Sequence, residues 1–432
     1  MNGQTVSLGQ LRFSVNSCVS TFAMALVVVF TLALFTTHAM QAQTFSLLHT
    51  FTGGLDGSDP AAGVTIGPSG VLYGTATFGG THDAGTVFKL NQVNSSWVFS
   101  PLYEFTGASD GGFPFGGVTI GPNGALYGTT QQGGDEGDGT VYALRPPATF
   151  CRSVTCYWDE TVLHSFTGPP ADGAFPTYVN LVFDQEGDIY GTTYYAGVGG
   201  YGIVFELTPS GGGYTENIIQ SFGYPAGGSY PEAGVVLDTA GNVYGTTQFG
   251  GTGTGTYCML YCGTVFQLVP SSGGWTENVL VNFDVTNGYN PQANPIIDAS
   301  GNLYGTAGVV YKLAPSGGGF TDSVIYTFNA VCEEQSALAM DAAGNFFGVC
   351  DQGPGADGDG WVYELTNCSE TCTVINLHSF SGGSDGASPL GTPVLDANGN
   401  LYGTAAQGAG TCHGNGCGVV WEIAGVGAPR KN

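Results

Sequence analysis

Positively charged residues are scarce in this 432-residue chain. Lysine and arginine together number 7, against 33 aspartates and glutamates, and charged residues make up only 9% of the sequence. The formal charge of -26 repels nucleic-acid phosphates, so we expect no nucleic-acid partner. So low a content of charged side chains also excludes a coiled coil or a helical bundle, whose surfaces are rich in them.

Helical periodicity is missing after residue 43. Upstream, a polar segment is followed by an apolar run from Val19 to Phe35 and then by small and polar residues. This order is typical of a signal peptide with cleavage after Ala39 or Ala42, and an uncleaved membrane anchor is the alternative. We predict a signal peptide over residues 1–42, no membrane span after its removal, and a mature protein that is secreted, extracellular or periplasmic.

Glycine, by contrast, is abundant, and much of it belongs to an internal repeat. The chain has 74 glycines together with 42% hydrophobic residues, which is enough apolar material for a large core. A Tyr-Gly-Thr motif recurs seven times at intervals of 43 to 63 residues, and its sixth copy is degenerate. The first residues of the seven copies are Tyr73, Tyr127, Tyr190, Tyr244, Tyr304, Phe347 and Tyr402.

Each repeat contains four short segments of the kind that form β-strands. An apolar run ending in an Asp-x-x-Gly turn precedes Tyr-Gly-Thr, and segments of the types Gly-Thr-Val-Phe and Leu-His-Ser-Phe follow it. These segments are rich in Val, Tyr, Phe and Thr and are bounded by turn-forming residues. Seven four-stranded repeats predict an all-β fold, a seven-bladed β-propeller over residues 43–424, with a β-helix as the alternative.

The repeat elements resemble those of a known family. The sequences Leu-Tyr-Gly-Thr-Thr, Gly-Thr-Val-Phe-x-Leu, Leu-His-Ser-Phe and Asp-Gly-x-x-Pro, found over residues 44–423, are similar to the repeats of the bacterial choice-of-anchor tandem repeat GloVer-containing proteins. The resemblance implies an exported repeat protein and supplies no catalytic residues. The C-terminal anchor differs among members of that family, and here we expect residues 425–432 to form a short flexible tail.

The polarity of the segments suggests their order within a blade. The run before the Asp-x-x-Gly turn is almost wholly apolar and suits the crowded inner position, strand A. Tyr-Gly-Thr is then strand B, Gly-Thr-Val-Phe is strand C and Leu-His-Ser-Phe is the outer strand D. On this order the mature chain begins with a lone strand D at 45–51 and ends with strands A, B and C at 393–423. We predict that the N-terminal strand completes the last blade and so removes two open sheet edges.

Most of the repeated polar residues have a structural explanation. The aspartates that begin the Asp-x-x-Gly turns, such as Asp238, are expected to accept hydrogen bonds from backbone N–H groups. Those of the Asp-Gly-x-x-Pro sequences, such as Asp172, are expected in the D-to-A turns. His49, His164 and His378 share one place in strand D, so we interpret them as packing and hydrogen-bonding residues in separate blades and not as a metal cluster.

Ten cysteines follow the predicted signal peptide, and they form five close pairs in the sequence. An even number in an exported chain favours disulfides, and the strand map places each pair in one loop or at neighbouring strand ends. Zinc binding by Cys412, His413 and Cys417 is the alternative, but a fourth ligand is missing. The predicted pairs are Cys151–Cys156, Cys258–Cys262, Cys332–Cys350, Cys368–Cys372 and Cys412–Cys417.

The loops between strands B and C differ most among the repeats, so a specific function is expected there. In a four-stranded blade these loops emerge on the same face as the D-to-A loops, and tyrosines on that face could stack on sugar rings. We therefore expect a monomer that binds a saccharide or an envelope protein through this face. The candidate binding residues are His82, Asp83, Tyr194, Tyr195, Tyr257 and Tyr261.

Catalysis is less favoured by the sequence than binding. The chain shows no nucleophile beside a base and no metal cage, although carboxylate pairs of the glycoside hydrolase or lyase kind cannot be read from spacing in a ring. A structural role in the cell envelope is the main alternative. No cofactor is expected except calcium, for which glycine-spaced carboxylates are weak candidates. These are Asp135, Asp138, Asp357 and Asp359.

Overall fold

The computed structural model describes residues 43–148, 156–256, 258, 261–328, 332, 336–353, 358–368, 371–412 and 414–427. The predicted signal peptide lies outside these residues. Over the described ranges the chain forms β-strands and a single 3-10 turn at Pro68–Gly70, and no α-helix. No helix long and apolar enough to cross a membrane occurs in this part of the chain.

The strands follow one another in the repeating order that the sequence predicts. The first strand is β1 (Thr44–Thr50). Each repeat after it begins with a two-residue strand A, which is followed by strands B, C and D. Blade 1 comprises β2 (Thr65–Ile66), β3 (Leu72–Ala76), β4 (Thr86–Val93) and β5 (Ser96–Glu104). Blade 2 comprises β6 (Thr119–Ile120), β7 (Leu126–Thr130), β8 (Thr140–Arg145) and β9 (Asp159–Ser165). Blade 3 comprises β11 (Val182–Phe183), β12 (Ile189–Thr193), β14 (Ile203–Ser210) and β15 (Gly213–Ser221), with a small extra sheet of β10 (Gly173–Ala174) and β13 (Tyr195–Ala196).

The remaining four blades repeat this pattern. Blade 4 comprises β16 (Val236–Leu237), β17 (Val243–Thr247), β18 (Thr264–Ser271) and β19 (Gly274–Asn282). Blade 5 comprises β20 (Ile296–Ile297), β21 (Leu303–Thr306), β22 (Val309–Ser316) and β23 (Gly319–Thr327). Blade 6 comprises β24 (Ala339–Met340), β25 (Phe346–Cys350), β26 (Trp361–Thr366) and β27 (Thr373–Ser379). Blade 7 comprises β28 (Val394–Leu395), β29 (Leu401–Ala405), β30 (Val419–Ala424) and β1.

The seventh blade confirms the predicted closure. Its sheet has the order β1-β30-β29-β28, so the first strand of the described chain takes the place of strand D. Phe45 of β1 lies opposite Ile423 of β30, and the pairing continues to Thr50 opposite Val419. The other six blades have the order A-B-C-D in sequence. The protein is therefore a seven-bladed β-propeller in which the first and last described strands pair within one sheet.

The glycine of Tyr-Gly-Thr is required because an aromatic side chain of strand C lies directly over it. A Cβ atom at Gly74 would be 2.5 Å from Cζ of Phe88, and one at Gly191 would be equally close to Cζ of Phe205. Real Cβ atoms do not approach other atoms so closely, so any larger residue would displace the ring. The motif thus provides the space in which each blade places its central aromatic ring.

In five of the seven blades the threonine of the same motif ties the blade to the next one. Thr192 Oγ1 donates to the Ala233 carbonyl oxygen at 2.7 Å, which joins blade 3 to the segment that precedes strand A of blade 4. The Thr404 hydroxyl of blade 7 donates in the same way to the Ala62 carbonyl oxygen of blade 1, at 2.8 Å. Because both threonines are buried, these bonds are protected from water and help to hold the ring closed.

The hydrophobic core is divided into seven clusters, each between two neighbouring blades. The cluster between blades 7 and 1, for example, packs Phe51, Tyr402 and Val420 against Leu72 and Phe88. Burial of this apolar surface is the main favourable term in folding, so blade-to-blade packing stabilises the ring. A blade without its neighbours would expose both of its faces.

The Asp-x-x-Gly turns between strands A and B have the expected capping role. Asp238 Oδ1 accepts hydrogen bonds from the backbone N–H groups of Ala240 at 2.8 Å and Asn242 at 2.9 Å. Its second oxygen accepts from the Tyr244 hydroxyl at 3.0 Å. The tyrosine of strand B and the aspartate of the turn are therefore one structural unit.

Four of the five predicted cysteine pairs are disulfides in the structure. Cys156 is also disulfide-bonded, whereas Cys151 lies outside the described residues. Disulfides persist in oxidising compartments, so they indicate a protein that is not cytoplasmic. The four described bonds are Cys258–Cys262, Cys332–Cys350, Cys368–Cys372 and Cys412–Cys417.

The first residues of the predicted tail are attached to blade 7. The backbone N–H groups of Val426 and Gly427 donate to the Gly399 carbonyl oxygen at 3.0 and 2.9 Å. The Gly425 N–H donates to Asn400 Oδ1 at 3.0 Å. Residues 428–432 lie outside the described part of the chain.

Candidate functional site

The loops between strands B and C lie beside the D-to-A loops, on one face of the propeller. Ser58 of a D-to-A loop pairs with Phe78 of a B-to-C loop, and Ser229 pairs in the same way with Phe249. Backbone hydrogen bonds of 2.8 to 3.1 Å join the two residues in each of these bridges. The loops that vary most among the repeats are therefore held in place by backbone pairing.

A cavity of about 70 Å³ opens along the axis of the ring. The segments that precede strand A in all seven blades line it, which places strand A innermost and strand D at the rim. Its lining is mostly small and uncharged, with Ala62, Asn294 and Thr392 among its members. Glu232 of blade 4 also lines this cavity and brings a carboxylate to it.

Six tyrosines from blades 3 and 4 form a connected cluster on the loop face. Three come from the B-to-C loop of blade 3, two from the loop that leads into blade 4, and one from the B-to-C loop of blade 4. Each ring lies within 6 Å of another ring of the set, measured between centroids. We call this cluster the tyrosine surface, and its members are Tyr194, Tyr195, Tyr201, Tyr224, Tyr230 and Tyr261.

Tyr195 is the most exposed ring of the tyrosine surface, and its orientation is fixed from three sides. Its centroid lies 4.7 Å from that of Tyr194, 5.4 Å from Tyr230 and 6.0 Å from Phe175, and all three contacts are edge-to-face. The side chain remains 44% exposed, and that of Tyr224 is 39% exposed. Flat rings are therefore presented to solvent in a fixed orientation.

Tyr194 has a different position. Its hydroxyl donates to Gln248 Oε1 of blade 4 at 2.8 Å, and its ring is partly buried against Tyr230. Burial raises the pKa of Tyr194, and the nearby Glu232 charge adds to the effect. Tyr194 therefore supports the surface and joins two blades, whereas Tyr195 and Tyr224 present their rings outward.

A second recess, of about 360 Å³, opens beside the tyrosine surface. Tyr194 and Tyr195 line it together with the polar residues Gln131, Thr177 and Glu232. Glu232 lines both this recess and the axial cavity. Aromatic rings beside a carboxylate and amides can bind a ligand that has both apolar faces and hydroxyl groups.

The other predicted binding residues lie in different places. Tyr261 belongs to the tyrosine surface through its contact with Tyr224, at 5.7 Å. His82 and Asp83 lie in the B-to-C loop of blade 1, where Asp83 Oδ1 accepts a hydrogen bond from the Gly79 N–H at 2.9 Å. They share the loop face with the tyrosines but belong to a different blade. Tyr257 lies outside the described residues.

The calcium candidates also occupy separate loops. The backbone N–H of Asp135 donates to Ser165 Oγ at 2.8 Å in blade 2, while Asp359 belongs to blade 6 and Asp357 lies outside the described residues. Burial raises the pKa of Asp138, and the charges of Asp172 and Glu136 add to this. Calcium binding by these loops stays a prediction, which calorimetry of the protein with calcium and with a chelator can test.

The three strand D histidines lie at the rim, each beside the aspartate of its own D-to-A turn. His49 Nε2 is 3.1 Å from Asp56 Oδ2, and the corresponding distance from His378 to Asp385 is 3.2 Å. These two histidines are covered by phenylalanine from the next blade. Phe99 stacks on His49 with 4.1 Å between centroids, and Phe45 stacks on His378 at 3.7 Å.

His164 differs from the other two histidines because a carboxylate covers it. Its Nε2 atom lies 3.3 Å from Asp172 Oδ2 and 3.5 Å from Oε1 of Glu216, which comes from strand D of blade 3. Burial lowers the pKa of His164, but the hydrogen bond to Asp172 and the Glu216 charge outweigh it and raise the pKa overall. Burial raises the pKa of Glu216 to about 7, and the neighbouring Asp172 carboxylate adds to the rise, despite the attraction of His164.

The sequence analysis did not predict that His164, Asp172 and Glu216 lie close together. Glu216 lies six residues before Phe222 of strand D, as Phe99 lies before Phe105 and Phe45 before Phe51. Aligning the strands on this phenylalanine would have shown an aromatic residue at this position in two repeats and an acid in four. Of these acids, Glu216 alone follows a repeat whose strand D carries a histidine. Tyr224 and Tyr230 were also missed, and the high tyrosine content of the loop that leads into blade 4 is the signal that could have found them.

The fold is similar to those of solved propeller structures, at low sequence identity. An extracellular domain of a hybrid two-component system from B. thetaiotaomicron has a TM-score of 0.54 and 10% identity, covering 89% of this chain and 42% of that one. A provisional 6-phosphogluconolactonase from Bacteroides uniformis has a TM-score of 0.50 and 14% identity, covering 78% of this chain and 88% of the other. At such identities the likeness shows the fold alone.

Sequence comparison gives a more specific result. A search of curated proteins finds no significant match. The model of the Gloeobacter/Verrucomicrobia repeat matches residues 27–257 and 153–308. These two overlapping matches cover well over half of the sequence and include five of its seven Tyr-Gly-Thr motifs fully. The chain therefore belongs to the Gloeobacter/Verrucomicrobia repeat family.

Proposed function

We propose that this propeller is a recognition module that binds a saccharide on the tyrosine surface. The observation that carries the proposal is the fixed, exposed ring of Tyr195, which three edge-to-face contacts hold in place. A ring that is already oriented loses little conformational freedom when a ligand stacks on it, so more of the contact energy contributes to affinity.

The chemistry of the recess supports a sugar over a purely apolar ligand. Sugar rings have an apolar face, which suits tyrosine, and a rim of hydroxyl groups, which suits amides and carboxylates. Tyr195 and Tyr224 supply the exposed rings, while Gln131, Thr177 and Glu232 supply polar groups around the adjacent recess.

The charge of the chain limits the kind of saccharide. With a formal charge of -26 and a carboxylate in the recess, the protein repels anionic glycans. We therefore expect neutral or amine-bearing saccharides as ligands. Partner proteins of the envelope remain the other class of ligand for the same surface.

A glycan array of the mature protein, followed by titration calorimetry, tests the proposal. We expect Tyr195→Ala to weaken binding of the best neutral glycan about 5- to 10-fold, because loss of one stacking contact costs about 1–1.5 kcal/mol. Tyr157→Ala is the matched control, since Tyr157 is 40% exposed but lies in blade 2, outside the tyrosine surface. Equal affinity of the wild type and Tyr195→Ala would contradict the proposal, as would binding that maps to the A-to-B turns.

A further inference from the structure

We propose that His164, Asp172 and Glu216 form a binding site for zinc or a similar divalent transition-metal cation, at the rim between blades 2 and 3. Among the described residues these three side chains are the group of histidine and acidic residues whose ligand atoms all lie within 4.8 Å of one another. The site is separate from the tyrosine surface and does not depend on the proposed function.

The distances within the cluster fit a tetrahedral metal ion. Zinc bonds of about 2.0–2.2 Å to nitrogen and oxygen place neighbouring tetrahedral ligands roughly 3.3–3.5 Å apart. His164 Nε2 lies 3.3 Å from the Asp172 oxygen and 3.5 Å from the Glu216 oxygen. Two of the three edges of the site therefore already have the required length.

The hydrogen-bonding capacity of the cluster is also incomplete without a cation. A neutral imidazole has at most one N–H on Nε2, and this nitrogen faces two carboxylate oxygens at once. Glu216 Oε1 is buried and accepts no hydrogen bond from the described residues. A metal ion would be bonded to all three groups, and its two positive charges would balance the two carboxylates.

Backbone and hydroxyl groups hold Asp172 in place. Its Oδ2 atom accepts hydrogen bonds from the Thr167 N–H at 2.7 Å and the Thr167 hydroxyl at 3.1 Å, and Oδ1 accepts from the Gly173 N–H at 2.6 Å. Such outer contacts orient metal ligands in known sites and preserve their affinity. The side chains of His164, Asp172 and Glu216 are 19%, 9% and 15% exposed, so the cluster is accessible to a small ion.

The other blades provide an internal comparison. His49 with Asp56 and His378 with Asp385 reproduce the histidine–aspartate pair of blade 2, but Phe99 and Phe45 take the place of Glu216. Two ligands and an aromatic ring do not make a metal site.

The histidine nitrogen in the cluster favours zinc over calcium, which prefers oxygen ligands, and three protein ligands leave a position for water.

Metal content provides the test. The mature, tag-free protein is treated with a chelator, loaded with zinc, passed through a desalting column and analysed for metal, while calorimetry gives the affinity. We expect one zinc ion per chain for the wild type. Glu216→Phe and His164→Ala should bind zinc at least about 100-fold more weakly, because each removes a ligand. His49→Ala and His378→Ala should bind it as the wild type does.

Glu216→Phe separates metal binding from folding. It reproduces the stacking of Phe99 on His49, so its metal-free melting temperature should equal or exceed that of the wild type. Should this variant fail to fold, Glu216→Gln, which keeps the size of the side chain, serves for the same measurement. A wild type without zinc at 100-fold excess of metal, or full zinc content in the Glu216 variant, would overturn the proposal.

Discussion

Phe45 stacks on His378, with 3.7 Å between the ring centroids and 6° between the ring planes. Phe45 belongs to the first strand of the described chain and His378 to strand D of blade 6. The contact therefore supplements the pairing of β1 with β30, because it attaches the closing strand to the neighbouring blade as well as to its own sheet.

Replacing Phe45 by alanine should destabilise the closed ring. The partly buried ring contacts His378, Phe380 and Trp421, so we expect a loss of about 2 kcal/mol in the free energy of unfolding. Leu47→Ala, on the same strand but 41% exposed, should cost less than about 0.5 kcal/mol. Denaturant unfolding measures both changes.

Removing the whole strand extends this test. Deletion of residues 43–52 takes away β1 and exposes the edge of β30, so it should lower the melting temperature far more than deletion of residues 428–432. If the two deletions had equally small effects, closure by the N-terminal strand would contribute nothing to stability.

The stability of the propeller should decrease between pH 5 and pH 8. Burial raises the pKa of Glu277 to about 7, and it raises the pKa of Glu160 to about 7 with a further contribution from the Asp110 charge. A carboxyl whose pKa is raised in the folded state contributes stability that is complete below its ordinary pKa of 4.5. That contribution is lost as the pH rises through about 7.

Neutral variants isolate these two groups from the other titrating residues. Glu277 faces Gln220, whose Nε2 donates to it at 2.6 Å, while Glu160 faces Tyr103 and Asp110 of blade 1. We expect Glu160→Gln and Glu277→Gln each to raise the melting temperature at pH 8 by a few degrees relative to the wild type, at roughly 2 °C per kcal/mol. Glu136→Gln, in an exposed loop, is the control. A pH profile parallel to that of the wild type would show that these glutamates titrate normally.

The Cys332–Cys350 disulfide should contribute more to stability than the Cys258–Cys262 disulfide. The first closes a loop with a sequence separation of 18 residues and the second one with a separation of 4. By the chain-entropy relation these loops correspond to about 3 and about 2 kcal/mol. Unfolding of the two double serine variants in denaturant checks the order, and a larger loss from the shorter loop would contradict the entropic explanation.

The repeat made the fold predictable, because a motif found seven times has one explanation common to all copies. Gly74 is an example: its equivalents are invariant in the sequence since an aromatic ring of strand C covers each one. The strand order followed from the apolar character of the segment before the Asp-x-x-Gly turn and from the way a ring of blades closes. The positions of the repeated motifs therefore predicted the strands of each blade without any knowledge of how the blades pack.

The sites were less predictable, because they depend on contacts between blades. Tyr195 was identified from its loop, but its edge-to-face contact with Tyr230 joins segments 35 residues apart in the sequence. The contact of His164 with Glu216 likewise depends on how far strand D of one blade overlaps the next. Sequence periodicity gives the position of a residue within its blade, whereas the neighbour it meets is set by the twist and stagger of the ring.

The two adjacent tyrosines of blade 3 should respond differently to substitution. Tyr194→Ala removes the hydrogen bond to Gln248 and the packing against Tyr230, so we expect a loss of about 2–3 kcal/mol in unfolding free energy. Tyr194→Phe keeps the ring and should lose only about 1 kcal/mol. Tyr195→Ala removes an exposed ring and should change stability by less than about 1 kcal/mol while it weakens saccharide binding. Thermal unfolding and glycan titration of the three variants therefore separate a supporting residue from a contact residue. If Tyr195→Ala unfolded the protein and Tyr194→Ala did not, these two roles would have to be exchanged.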